Sequence, residues 1–387
     1  MPVLSVFNGK DSCCLLGMAG IYIHIPFCKS RCRYCDFYST TMLGKREEYV
    51  RAVIDEAELR RHYLGGETVS TIYFGGGTPS LIQAEDMRLI LNRLRELFKV
   101  TGEAEITTEG NPGDLTKDYL CELHEAGVNR LSIGIQSFSD DKLRLLGRRH
   151  TGEEARRSVT RAREVGFNNI SIDLIYGIPG ESLQDWQEEL RQAISLNIEH
   201  ISTYCLTYEE GTRMTDMLKR GEICAVDDET ENEMYAILVK TLSDSGFYRY
   251  EVSNFAKPYR YSHHNSAYWN GTKYLGLGAA AHSSDGKSRQ WNKSDIDAYM
   301  REVEARNLQP EKEDLTDTDL YNERVMLGLR TAGGIDLGQL SAEEKKHCLH
   351  EANRFLTTGH LIIDRNRLTC SDKGINILNL ITEYLMQ

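Results

Sequence analysis

Basic residues are the minority charge along this chain: 46 Lys and Arg stand against 58 Asp and Glu, which leaves a net charge of −12 with histidine neutral. Such a surplus repels a phosphate backbone or an anionic leaflet, so neither nucleic acid nor a membrane surface is an expected partner. Long apolar runs are missing as well: no stretch reaches the roughly 18 residues of a spanning helix. The N-terminus also lacks a basic segment followed by an apolar run and a small-residue cleavage site. The protein is therefore expected to stay in the cytoplasm, where thiols are kept reduced. Its ten cysteines do not read as a disulfide framework there, and clustered ones point to metal or catalysis. Cys28, Cys32 and Cys35 are the one close group of three.

A chain of 387 residues exceeds the roughly 250–300 at which one hydrophobic core stops growing, so two domains are expected. Residues 1–19 read as a disordered extension; the stretch to residue 17, with Cys13 and Cys14, shows no sustained period. From there to residue 207 the pattern is strand, loop, helix, six times over. Short β-rich runs occur at 21–25, 71–74, 105–108, 130–135, 169–175 and 200–205. Between them, Tyr49, Val50, Val53, Ile54 and Ala57 recur at helical spacing, as do Met87, Ile90, Leu91, Leu94 and Phe98. Thr151 with Glu154 and Ser182 with Asp185 sit like capping pairs before helical runs. Alternating β and α units predict a parallel sheet, and six of them fit an incomplete (β/α)6 barrel of the TIM type.

Such a sheet gathers its chemistry where the strands end. The unusual residues fall there: the cysteine loop after the first strand, Gly75-Gly76-Gly77-Thr78-Pro79 after the second, Glu109-Gly110-Asn111-Pro112 after the third, Gln136 after the fourth, and Asp173 with the Tyr176–Gly180 turn at the fifth. The glycine loop is no nucleotide P-loop, because no Lys-Ser or Lys-Thr follows it; its use is close backbone approach. Residues 208–387 form the second expected domain. They are rich in turns and aromatics to about 295, and their end, with a hairpin at 360–369 turning near Asp364-Arg365-Asn366, has the look of a winged helix without a basic stripe.

Cys28-x3-Cys32-x2-Cys35 offers three thiolates that a tight loop can wrap around a compact metal cluster. A structural zinc would want a fourth ligand, for which His24 is the neighbour at hand. A four-iron, four-sulfide cubane held by three cysteines keeps one iron open to a ligand that is not protein.

At this point the residues resemble a family. Tyr22-Ile23-His24-Ile25-Pro26-Phe27-Cys28, with Cys32, Tyr34 and Cys35-Asp36-Phe37, is similar to the opening of radical S-adenosylmethionine proteins, in the branch that contains oxygen-independent coproporphyrinogen III oxidase. The resemblance implies a [4Fe-4S] cluster on Cys28, Cys32 and Cys35, with S-adenosylmethionine chelating the open iron. It implies that Gly76, Gly77 and Thr78 approach the methionine end. Glu109, Gln136, Arg148 and Asp173 stand where relatives contact the same cofactor, with Tyr22 and Tyr34 flanking the cluster motif. Arg149 and His150 adjoin Arg148, so that position could slip along the chain. The C-terminal part is then expected to be an α+β domain of the kind found in that oxidase.

Two departures matter. The oxidases carry a fourth cysteine two residues past the third, where this chain has Phe37, and a longer segment ahead of the cluster than the 27 residues here. In their place stands His264-Asn265-Ser266-Ala267-Tyr268-Trp269, similar to a motif of the heme-chaperone members of the branch, which bind heme and hand it to client proteins. The resemblance implies heme on His264, with Tyr268 and Trp269 against the macrocycle. It also implies that cluster and cofactor support transfer or a homodimer, with a flavodoxin- or ferredoxin-like electron donor. The alternatives are porphyrinogen decarboxylation and another radical reaction on a tetrapyrrole. The remaining cysteines, at 121, 205, 224, 348 and 370, are scattered and read as packed.

Overall fold

The computed structural model of the protein describes residues 18–387. The extension expected at 1–19, Cys13 and Cys14 included, lies outside the described residues except for Met18 and Ala19, which already belong to the first strand. Six strands run in chain order, each parallel to the next: β1 (Met18–Ile25), β2 (Thr68–Gly76), β3 (Val100–Gly110), β4 (Arg130–Gln136), β5 (Ile170–Tyr176) and β6 (His200–Cys205). Each was legible as an apolar run, and sheet pairing lengthens most of them. Ile21, Ile23 and Ile25 of β1 are fully buried toward the helices, while Tyr22 and His24 point to the concave side. That alternation is what a strand imposes on successive side chains.

The helices that cover the convex face are α1 (Arg46–Leu59), α2 (Ala84–Leu97), α3 (Lys117–Ala126), α5 (Gly152–Val165) and α6 (Leu183–Ser195), while the short α4 (Asp140–Leu146) lies beside the cysteine loop, where the Leu146 carbonyl accepts from the Arg33 amide. The helical stripes bury as their spacing requires, Tyr49, Val53, Met87, Leu91 and Leu94 among them. Both capping pairs form reciprocal boxes at the starts of α5 and α6. After them come α7 (Arg213–Lys219) and α8 (Asp228–Asp244), the strands β7 (Tyr248–Arg249) and β8 (Asn254–Ala256), the short helix α9 (His263–Trp269), and β9 (Tyr274–Leu277), β10 (His282–Ser284) and β11 (Ser288–Trp291). Then α10 (Ile296–Glu304) and β12 (Glu311–Asp314) complete a twelve-stranded sheet.

The sheet does not close. β9 pairs parallel to the outer side of β1 and β8 antiparallel to β6, so the two flanks extend the sheet where a full barrel would join. Packing therefore carries past residue 207: the main apolar core includes Leu275, Tyr299 and Val303. Buried Glu56 of α1 pins this later segment. It accepts from the Tyr299 hydroxyl at 2.6 Å, the Gly278 amide at 2.7 Å and the Asn292 amide at 2.8 Å, beside Arg60 at 3.5 Å.

A second core starts at Tyr321. It is built by α11 (Asp317–Arg330), β13 (Ile335–Asp336), α12 (Ala342–Thr357), the hairpin β14 (Leu361–Asp364) and β15 (Arg367–Cys370), and α13 (Asp372–Ile375) with α14 (Leu378–Leu385). Arg365 and Asn366 at the hairpin tip both have positive φ, 46° and 67°, as a two-residue turn matching strand twist demands.

Candidate functional site

The concave side of the sheet is polar. In its upper layer, near the strand ends, the cysteine loop leans on two neighbours. The Cys28 Sγ lies 3.5 Å from the Thr78 hydroxyl, and the Arg148 guanidinium reaches the Cys32 Sγ at 3.5 Å. Gly77 approaches the Pro26-Phe27 backbone so closely that a Cβ would sit 2.8 Å from it, and at Gly76, where φ is +112°, a Cβ would meet the His24 ring at 2.6 Å. The glycines thus let the loop after β2 lie directly on the loop after β1, a contact no other residue permits.

Of the three adjoining candidates, Arg148 is the one that turns inward. Arg149 leaves to pair with Asp114 at 2.9 Å, and the His150 ring bonds the Ile135 carbonyl at 2.9 Å. The Arg148 Nε is buried without a partner. Gln136 closes β4 in a left-handed conformation, φ 68°, at a register shift in the ladder to β5, which brings its amide and Arg148 over Gly134. Tyr34 is buried beside Arg148, Cys32 and Asp173.

The two carboxylates of the layer are half-buried, with no cation in contact. Glu109 accepts from the Tyr73 hydroxyl at 2.9 Å and the Gly76 amide at 3.2 Å. Burial, and then the charge of Asp173, push its carboxyl up to about 7. Asp173 accepts from Ser132 at 3.3 Å and from Ser202, and burial raises it too. Burial likewise pushes the Cys35 thiol up to about 11.

These residues fit the expected groups. Cys28, Cys32 and Cys35 lie on one loop beside Thr78 and Arg148, as thiolates that bind separate irons of a cluster would. His24 is no fourth ligand for zinc. Its Nδ1 lies 3.1 Å from the Tyr22 hydroxyl and its Nε2 3.0 Å from the Tyr38 carbonyl, so both nitrogens are taken. The orphan guanidinium nitrogen of Arg148 and the half-buried acids Glu109 and Asp173, which no cation contacts, are donors and acceptors that a zwitterionic nucleoside would satisfy.

The lower layer is where the structure departs from expectation. α9 plugs the floor of the open barrel. Glu105 of β3 accepts the backbone amides of His263 and His264 at 3.1 and 3.0 Å. The His264 ring stacks 5.1 Å from Tyr73, with Nδ1 on the Thr71 hydroxyl at 2.8 Å and Nε2 on the Tyr268 hydroxyl at 3.0 Å. Burial, with Arg130 nearby, lowers its pKa to about 3. Beside it His200 bonds Ser171 at 2.7 Å and Tyr250 at 2.8 Å, and Asn265 reaches the Tyr250 hydroxyl at 3.3 Å. His264 is a buried imidazole with each ring nitrogen beside a hydroxyl. The Trp269 indole N–H is buried without a partner, away from the open cavity that Tyr268 helps to line.

That cavity, of about 670 Å³, opens between the cysteine loop and the β9–β10 turn. Tyr22, Phe37, Tyr38, Tyr268, Tyr274 and His282 supply most of its wall, with Arg31 and Asp36 also facing it. Its size lies within the roughly 300–1,000 Å³ of small-molecule sites. Sequence reasoning missed Glu105, Arg130, His200 and His282. The first three carried a signal, as charged or imidazole side chains in β-rich runs at positions that alternate to the concave face. His282 carried none.

Fold and site together define a radical S-adenosylmethionine protein with an added C-terminal α+β body. The Radical SAM superfamily matches residues 22–193 and the HemN C-terminal domain residues 315–377. The chain is 34% identical over 372 residues to a protein named heme chaperone HemW from Mycobacterium tuberculosis, covering 95% of this chain and 94% of that one. It is 36% identical over 321 residues to the Bacillus subtilis protein of that name, covering 82% and 85%. Among solved structures, coproporphyrinogen III oxidase (HemN) from Escherichia coli superposes with a TM-score of 0.82 at 24% identity, over 95% of this chain and 90% of that one, a likeness of fold. The chain belongs to the heme chaperone HemW family. Membership in the radical SAM superfamily implies a [4Fe-4S] cluster and S-adenosylmethionine, and among the described residues no helix is long and apolar enough to cross a membrane.

Proposed function

We propose that this protein binds heme and transfers it to client heme proteins. In this reading it carries a [4Fe-4S] cluster on Cys28, Cys32 and Cys35, and S-adenosylmethionine against Gly76, Gly77, Thr78, Glu109, Gln136, Arg148 and Asp173. The observation that carries it is the aromatic cavity set directly against the cysteine loop, in a chain whose relatives bear the name heme chaperone across 95% of its length. A cluster held by Cys28, Cys32 and Cys35 would supply reducing electrons to S-adenosylmethionine bound beside it. The protein's own residues hold and shield: Arg148 is aimed at an anionic group, Glu109 and Asp173 accept from hydroxyl or amino groups, and Tyr34 covers the loop from the inside. An electron donor of flavodoxin or ferredoxin type, and a homodimer, belong to the same reading.

Porphyrinogen decarboxylation is the competitor. Phe37, where the oxidases have a fourth cysteine, is 67% exposed at the cavity wall; it offers apolar contact and no thiol. The test is anaerobic reconstitution of the full chain, followed by parallel titration with ferric heme and assay with coproporphyrinogen III and reductant. Saturable heme binding without vinyl product is expected. Robust vinyl product with no heme binding would make the protein an oxidase.

A further inference from the structure

We propose that His282 is the protein's ligand to the heme iron, with the macrocycle lying in the cavity beside the cysteine loop. This deepens the functional reading above and rests on it.

Three imidazoles stand near the cavity. His24 and His264 have both ring nitrogens bonded inside the protein. His282 is exposed at the cavity wall and its ring makes no hydrogen bond. A heme ligand needs an imidazole nitrogen that is free to coordinate beside space wide enough for a flat macrocycle, and of these three rings His282 is the one at the cavity wall without a hydrogen bond.

The backbone holds the ring firmly. Gly276 approaches the His282 carbonyl so closely that a Cβ there would lie 2.0 Å from it, and the turn between them runs through Gly278 at φ 103° and Ala280 at φ 63°. His282 pairs with Trp291 across the β10–β11 ladder, and the rings stack at 5.7 Å and 21°. That face-on contact sets the imidazole plane before any ligand arrives, as preorganised ligands require. The other walls suit the cargo. Tyr22, Tyr268 and Tyr274 present flat faces, Phe37 closes one side, and Arg31 provides a cation for a carboxylate of the heme periphery. The motif histidine His264 then acts at one remove: it fixes Tyr268, which lines the cavity.

The test is titration of the full, cluster-reconstituted chain with ferric heme, read by resonance Raman and EPR signatures of imidazole ligation. Wild type and His264→Gln should show the signature. His282→Ala and His282→Gly should bind heme roughly 10- to 100-fold more weakly and lose it, and added imidazole should restore it in His282→Gly. Heme bound by His282→Ala with wild-type affinity and an unchanged spectrum would overturn the assignment and leave the heme reading standing. Wild type that binds no heme would overturn both. Near-ultraviolet circular dichroism of His282→Gln confirms that a loss is local.

Discussion

Replacing His264 by alanine is expected to destabilise the protein by about 3–4 kcal/mol, the sum of a cavity and stranded polar groups. The substitution leaves the Thr71 hydroxyl, now 2.8 Å from Nδ1, and the Tyr268 hydroxyl, 3.0 Å from Nε2, without their imidazole partner. It also removes a ring packed 5.1 Å from both Tyr73 and Tyr268. Heme binding should weaken with it, because Tyr268 lines the cavity, yet the cause is the collapsed floor. Glutamine separates the two roles. His264→Gln can reach both hydroxyls, so it should recover much of the stability, measured by urea denaturation, and retain the heme spectrum. A His264→Gln protein that is as stable as wild type and binds heme without imidazole ligation would make His264 the ligand after all. The acid side adds a second check. His264 is held neutral down to about pH 3, while in the unfolded chain it protonates near 6.5. Its folded pKa is the lower one, so stability drops as pH falls below about 6.5, by about 1.4 kcal/mol per unit, and His264→Gln should flatten that limb.

The same residue marks where sequence reading succeeds and where it stops. The six strands, the helical stripes and the cysteine loop were legible because each is a local signal: a period of two, a period near 3.6, a spacing of thiols. Arg148 was resolved from Arg149 and His150 only by the fold, since three polar neighbours in one turn look alike until one of them, Arg148, is seen on Cys32. His264 was read as an iron ligand because a histidine beside aromatics is what a heme site needs, and such a cluster is also what a sealed barrel floor needs. Its contact with Thr71, 193 positions away along the chain, is one that no local pattern encodes. His282 was invisible for the complementary reason. Its role depends on a free ring nitrogen and a nearby cavity, and neither leaves a mark on its sequence neighbours. The return of β9 to pair with β1 was illegible likewise, a contact across some 250 residues that no local pattern encodes.

Replacing Glu109 by glutamine should raise the stability of the cofactor-free protein at pH 8 and weaken its hold on S-adenosylmethionine. The carboxyl is desolvated and lies within the field of Asp173, which together push it up to about 7 from an ordinary value of 4.5. A raised carboxylate pKa means that the folded chain binds the proton more tightly than the unfolded one between those values, so stability is lost as pH rises from about 4.5 to about 7. The loss amounts to about 3 kcal/mol at pH 8. Glutamine is neutral throughout. It keeps an oxygen for the Gly76 amide, now 3.2 Å away, and should therefore match wild type near pH 5 and exceed it by up to about 3 kcal/mol at pH 8. In wild type this limb opposes that of His264 between about pH 4.5 and 6.5, so the two partly cancel; in Glu109→Gln the acid-side loss of stability should stand out alone. Affinity moves the other way. An ionised acceptor is worth about 1.5–3 kcal/mol to a hydroxyl or ammonium partner, so calorimetric titration of cluster-loaded Glu109→Gln should show S-adenosylmethionine bound roughly 10- to 100-fold more weakly. A glutamine variant less stable than wild type at pH 8 would mean that Glu109 has a compensating cation in the folded chain. Unchanged affinity would remove Glu109 from the cofactor site. A charge kept buried at the expense of the empty protein is the mark of a group selected for its ligand.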